Sequence, residues 1–365
     1  MTDPVSASLA PMDLTHIDYS ALTNPITPAQ IRAFRTQVRS AQRADPSVRT
    51  SLTTATTAFA IVFIVMISVI FIAVGFAVLG QIMDHGYVGV GSLLPLLFIL
   101  AFIGLGIYIL VKHFGSGGEW AKWMRLTQFA AANGLQFRSS SQGPNYPGMI
   151  FTLGDSRLVT NHLNSTTGRY FDLGSYQYST GSGKSRSTHV WGFLALKLDR
   201  ELPNMVLDSK ANNSLFGTDL PITLKRDQIL SLEGDFDKHF TLYCPQEYEQ
   251  DALYVFTPDL MALLIDDAGT YDVEIVDDWM FLYSPHQLPA LSQATYAHLF
   301  TIIQTVGNKT VSQTENYHDD RVDSLSQNIV APQGQRLRHG TSIGAIIFTS
   351  GFALFWLYSV FHGFH

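Results

Sequence analysis

Apolar and polar positions alternate most clearly between Leu230 and Ser284. Phe240, Leu242 and Cys244 alternate with Thr241 and Tyr243, the period-two pattern of a half-buried strand, and Pro245 ends it. Residues 246–254 are good helix formers with acids early, which suits the positive end of a helix dipole. Thr257-Pro258-Asp259 predicts a helix start with Thr257 as cap. Leu260, Leu263 and Leu264 then share one face, which predicts a helix lying on a core. Val273–Val276 and Trp279–Tyr283 read as two strands of a hairpin turning at Asp277-Asp278.

The flanking sequence extends this domain over 119–308. A helix is expected over Glu119–Asn133, closed by Gly134, with a strand from Leu135 to Arg138. Met149–Leu153 and Arg157–Leu163 predict strands around Gly154-Asp155. Tyr170–Ser179 and His189–Leu198 predict a second hairpin around the loop Gly181–Ser185. Gln287–Val306 reads as an amphipathic helix with Leu288, Leu291, Leu299, Ile302 and Ile303 inward. Residues 309–338 are polar and aperiodic and read as a linker. The predicted class is an α+β domain with a mostly antiparallel sheet.

Three apolar stretches add transmembrane α-helices to that expectation: 55–80, 92–112 and 341–361. No charged residue lies between Arg49 and Asp84, and a bilayer core needs about 20 apolar residues in a helix. Lys and Arg lie before the first span, after the second and before the third, which predicts a multi-pass cell-membrane protein with a cytoplasmic N-terminus and domain and an extracytoplasmic C-terminus. Ala345, Thr349 and Ala353 form a small-residue stripe that suits helix packing and a homo-oligomer through the spans.

Residues 1–49 form an N-terminal segment. Its first 26 residues are polar and proline-containing, with no signal-peptide pattern, and are expected to be mobile. Thr27-Pro28 starts a basic amphipathic helix over 28–43, with Ile31, Phe34, Val38 and Ala41 on one face and Arg32, Arg35, Arg39 and Arg43 around it. Two readings stand: an interfacial helix on anionic lipid, each basic residue there contributing about 1 kcal/mol, or a helix docked on protein. Trp120 and Trp123 belong with the arginines as membrane-interface candidates, or their helix packs on the domain.

Charge and chemistry narrow the function. The net charge is −7 and no basic patch interleaved with aromatics appears, which argues against nucleic acid. The single cysteine, Cys244, cannot form an intrachain disulfide and reads as a buried thiol. Gly181-Ser182-Gly183-Lys184-Ser185 invites a phosphate-loop reading. Tyr178 stands where the first glycine belongs, however, and a strand follows where a helix is needed. Glu233, Asp235 and Asp237 resemble a calcium loop, but Lys238 occupies the turn-glycine position. Asp266, Asp267, Asp272, Glu274, Asp277 and Asp278 read as an acidic rim around the hairpin, either a surface for a basic partner or simply a solvated face. Asp199, Glu201 and His239 are titratable residues that no spacing brings together. No catalytic, cofactor or metal residue is assigned, and no cofactor is implied.

The string Phe236-Asp237-Lys238-His239-Phe240, then Tyr243, Tyr248-Glu249 and Thr257-Pro258-Asp259-Leu260-Met261, resembles a bacterial family of membrane-anchored proteins of unknown function. In that family an F-x-K-x-F strand precedes an acidic helix and a T-P-x-x-M helix, after two transmembrane segments. The resemblance covers residues 119–305 and implies an architecture without a reaction.

Three functions follow as expectations. One is a non-enzymatic protein-interaction or scaffolding domain at the inner membrane face. Another is a membrane-bound hydrolase-class enzyme with a site built from residues distant in sequence. The last is a module sensing anionic membrane lipid.

Overall fold

The computed structural model describes residues 14, 16–44, 118–213, 218–232, 234–322 and 328–340, with single positions between 68 and 104. The chain divides into two units, residues 24–125 and the remainder.

The larger unit is built on a seven-stranded sheet in which every pairing is antiparallel. Strands β1 (Leu135–Gln142), β2 (Asp155–Ser165), β3 (Phe171–Thr180), β4 (Ser187–Ser209), β5 (Ile229–Leu230), β6 (Phe240–Tyr243) and β7 (Asp272–Ser284) run in the order β1-β2-β3-β4-β6-β5, with β7 also on β4. The β3–β4 hairpin turns through Gly181–Ser185 as the sequence predicts, and Arg186 beyond it pairs with Asp155.

β4 is the spine. Its first half lies between β3 and the end of β7; its second half lies between β6 and the start of β7. The register breaks between Lys197, Leu202 and Met205. Pro203 sits in that break, where a residue without an N–H costs the ladder least. Asp277, opposite Leu202, adopts a left-handed φ of 53°. The expected hairpin at Asp277-Asp278 is therefore corrected: β7 is one strand bent at a bulge.

Each face of the sheet carries a core. Leu173, Leu194, Leu196, Leu282 and Ile275 lie under helices: α3 (Gly118–Ala132, through Leu126 and Phe129), α6 (Glu249–Val255), α7 (Pro258–Ala268) and α8 (Gln293–Ile302). Cys244 is buried in this core, and burial, then Glu249 and Asp251, pushes its thiol up to about 12. The opposite face carries Tyr176, Phe193, Ala195, Phe281 and Tyr283, covered by residues 146–153 and by Leu220, Leu224 and Leu337. Met149–Leu153, expected as a strand, instead supplies a single helical turn, α4 (Met149–Thr152), whose Met149, Ile150 and Phe151 are buried.

Both ends of the domain differ from expectation. Leu14 and Leu22, the latter on the one-turn helix α1 (Ser20–Thr23), are buried in the helix-covered core, Tyr19 stacks on Phe129, and the Asp18 N–H donates to Asn133, so this part of the N-terminal segment is ordered. The 309–338 stretch is no linker. It opens as helix α9 (Asn308–Thr314), buries Tyr317, Val330 and Leu337, and returns to the sheet through hydrogen bonds of Asn204. The helix expected from Gln287 begins at Gln293, leaving Leu291 exposed.

In the smaller unit, α2 (Pro28–Ala44) matches the predicted basic helix. Thr27 and Gln30 exchange capping hydrogen bonds at its start.

The membrane expectation is corrected. Among the described residues no helix is long and apolar enough to cross a membrane. What the structure supports is the α+β domain, without the three spans, the multi-pass cell-membrane placement or the transmembrane description built on them. Apart from the single positions between 68 and 104, segments 55–80, 92–112 and 341–361, and with them Ala345, Thr349 and Ala353, lie outside the described residues.

Candidate functional site

Three strands bring a serine, a histidine and an aspartate into line. Between Thr160 and Leu163 β2 carries one residue more than β3, and Asn161 at φ 49° absorbs it. That bulge puts Val159 and His162 on the same face of the sheet. Gly174 on β3 lies opposite and leaves room for the histidine backbone. Asp172, on the face of Tyr176 and Tyr178, then meets the imidazole. His162 Nδ1 is 3.0 Å from Asp172 Oδ1, and its Nε2 is 3.3 Å from Ser141 Oγ on β1.

In the tautomer with its hydrogen on Nδ1, His162 donates to Asp172 and its Nε2 can accept from the Ser141 hydroxyl. Tyr146 donates to Asp172 Oδ2 at 2.9 Å, and its oxygen lies 3.2 Å from that of Tyr170. Burial, then the Asp172 charge, raises Tyr146 far above its usual range, so it stays a donor. His162 and Asp172 are each 3 % exposed, whereas Ser141 is half-buried. The relay thus runs from a buried His–Asp pair to a half-buried serine. The Gly143 N–H, two residues on, is already spent on the Arg157 carbonyl.

A second polar group lies on the same face. Glu274 accepts from Tyr283 Oη at 2.6 Å and from the Met149 N–H at 2.7 Å, and Asn204 Nδ2 lies 3.5 Å away. Burial pushes its carboxyl up to about 7, against those three hydrogen bonds. The acidic rim is therefore corrected in part: Asp272 and Glu274 are interior residues.

The other candidates are placed as follows. Phe34 meets Trp120 edge-on at 6.4 Å, and Arg35 and Arg39 lie over the same ring at 5.6 and 5.9 Å. Such contacts contribute about 0.5–1 kcal/mol each at exposed sites. Trp123 is buried, 5.2 Å from Trp120. Arg32 is exposed on α2, and Arg43 belongs to that helix. Asp199 is held bidentately by Arg169, and the Glu201 N–H donates to Asn328. His239 closes helix α5 (Phe236–His239), so these three are engaged separately. Asp237 accepts from Ser231 and the Leu232 N–H, closing its own turn.

No family model matches the chain, and no curated protein does. Among solved structures, the crystal structure of the mycobacterial trehalose monomycolate transport factor A, TtfA, matches over 53 % of this chain and 93 % of that one, at 11 % identity and a TM-score of 0.35. A likeness at that level says nothing about activity.

Sequence reading missed Ser141, His162 and Asp172. They are 21 and 10 residues apart on separate strands, and their meeting depends on a bulge without a sequence signature.

Proposed function

We propose that the domain is a hydrolase-class enzyme with Ser141 as nucleophile, His162 as general base and Asp172 as the group that orients the histidine. The observation carrying this is the Ser141–His162–Asp172 line of hydrogen bonds, with His162 and Asp172 buried and Ser141 half-buried. Nucleophile, base and orienting carboxylate within hydrogen-bond reach are the parts that acyl transfer to serine needs. Ser141 Oγ bonds to an acyl carbon as its proton passes to His162 Nε2. The leaving group departs with that proton, and water releases the acyl group by the same route.

The test is labelling of the purified chain with a fluorophosphonate probe, alongside hydrolysis of short aryl esters. Ser141→Ala is expected to abolish both, and His162→Gln to slow hydrolysis by about 10²–10⁴. Absence of labelling, or labelling that survives Ser141→Ala, overturns the reading.

A protein-interaction role is the second reading. It is supported by Leu253 and Tyr254, adjacent and exposed on α6, with the Tyr254 ring 6.0 Å from that of Tyr317. A photo-crosslinker at Leu253 that captures no protein in cells argues against it.

A further inference from the structure

The register that pairs Leu207 with Val273 sets Asp208 and Asp272, the next residue on each strand, directly opposite on one face of the sheet. They are 4 % and 1 % exposed. Two like charges opposite each other destabilise a sheet, and burial makes this worse. Something must neutralise them.

The protein's own groups do so incompletely. Asp208 Oδ1 accepts from Thr218 Oγ1 at 2.9 Å, with the Asn213 side chain also acting on its carboxyl, and Asp272 Oδ1 accepts from the Ser209 N–H at 2.9 Å. Asp272 Oδ2 is buried with no hydrogen-bond partner. Asn212, three residues past the end of β4, lies close enough to act on the Asp272 carboxyl, yet neither its amide oxygen nor its nitrogen, both buried, makes a hydrogen bond of proper geometry. Lys210, the cation whose charge reaches Asp208, has its ammonium on the Asp237 carbonyl. Asp219 adds a further negative charge that acts on both carboxylates.

We propose that Asp208 and Asp272, with the side-chain oxygens of Asn212 and Thr218, form a binding site for a hard divalent cation, Ca²⁺ or Mg²⁺. All four groups offer oxygen, which suits these ions and not the nitrogen and sulfur preference of zinc. Among the described residues no three His, Cys, Asp or Glu side chains are placed to hold a metal by themselves. Amide, hydroxyl and water oxygens complete the shell, as is usual for Ca²⁺ and Mg²⁺. The buried Asp272 oxygen and the Asn212 amide oxygen gain the partner they lack, and the ion cancels the carboxylate repulsion. The ion also ties the loop after β4 to the start of β7.

The full chain, stripped with a chelator, is titrated calorimetrically with CaCl₂ and separately with MgCl₂, and its thermal unfolding is followed with each. Saturable one-to-one binding and a rise in Tm are expected for at least one ion. Asp272→Asn and Asp208→Asn are each expected to weaken that binding at least tenfold. Both variants remove a repelling charge, so without added ion they are expected to melt no lower than the parent, which separates loss of the site from loss of the fold. A folded parent that binds neither ion overturns the proposal and leaves a shared proton as the neutralising species. Binding that persists in both variants overturns it too.

Discussion

Gly174 faces His162 so closely that a Cβ built on the glycine would lie 2.6 Å from the His162 Cβ and 2.9 Å from its Cα. The bulge at Asn161 and this missing side chain together decide where the imidazole stands. Gly174→Ala is expected to force the two strands apart at an overpacking cost of about 1–3 kcal/mol. It also breaks the 3.3 Å contact between His162 and Ser141. Denaturant unfolding reads the first effect and fluorophosphonate labelling the second. A variant with parental stability and parental labelling contradicts this account of the site.

Tyr283 and Gly148 are coupled through one atom. The Tyr283 hydroxyl serves buried Glu274, and a Cβ at Gly148 would lie 2.3 Å from that oxygen and 3.0 Å from the Phe281 ring. Tyr283→Phe is expected to cost about 1–3 kcal/mol, because a buried acceptor loses its donor. Gly148→Ala is expected to cost less in the Tyr283→Phe background than in the parent. A double-mutant cycle by urea unfolding measures this, and simple additivity would show that the hydroxyl is not what excludes the methyl group.

Caps divide the helices differently from the sequence signals. Thr257 occupies the N-cap of α7 with Pro258 behind it, yet its Oγ1 makes no hydrogen bond. Ser292, at the start of α8, accepts from the Thr295 N–H at 3.1 Å. Ser292→Ala is expected to lose about 1 kcal/mol and Thr257→Ala less than about half of that. Leu264→Ala, at a fully buried position, is expected to lose about 2–5 kcal/mol, and Leu263→Ala, at a partly buried one, less. Equal losses at Thr257 and Ser292 in thermal melts would refute the distinction.

These cases show what the chain makes legible. Local, repeated patterns survive folding: the alternation of β3 and β4 around Gly181–Ser185, and the Thr-Pro starts of α2 and α7. Features that depend on a distant neighbour do not. Asp272-Val273-Glu274-Ile275 alternates as a strand with one wet face would, and only the second core shows that the acids point inward. Asp277-Asp278 has the composition of a turn, but the backbone strain is used to bend a long strand past Leu202. Residues 309–338 look like a linker because polar groups, not an apolar stripe, fasten them.

Asp319 shows that fastening and makes it testable by pH. Its carboxylate accepts from Tyr248 Oη at 2.7 Å, the Ala331 N–H at 2.9 Å and the Arg321 N–H at 3.0 Å, with the Arg321 guanidinium at 3.2 Å. Arg321 also lies 3.9 Å over the Tyr248 ring and pairs with Asp251. Burial alone would raise the Asp319 carboxyl, but these donors outweigh it and hold the group below its usual range. Its folded value is therefore below its unfolded one, near about 3.9. The stabilisation is complete above that unfolded value and is lost as pH falls toward the folded one. The stability difference between the parent and Asp319→Asn, measured by chemical unfolding from about pH 6 to about pH 3, is expected to shrink toward the acid end, while buried Glu274, raised to about 7, acts in the opposite direction in both proteins. Asp319→Asn is expected to be less stable than the parent at the upper end of that range, to lose less on acidification, and to expose residues 317–340 to proteolysis. Parallel curves for parent and variant across that range would mean that Asp319 does not fasten the segment.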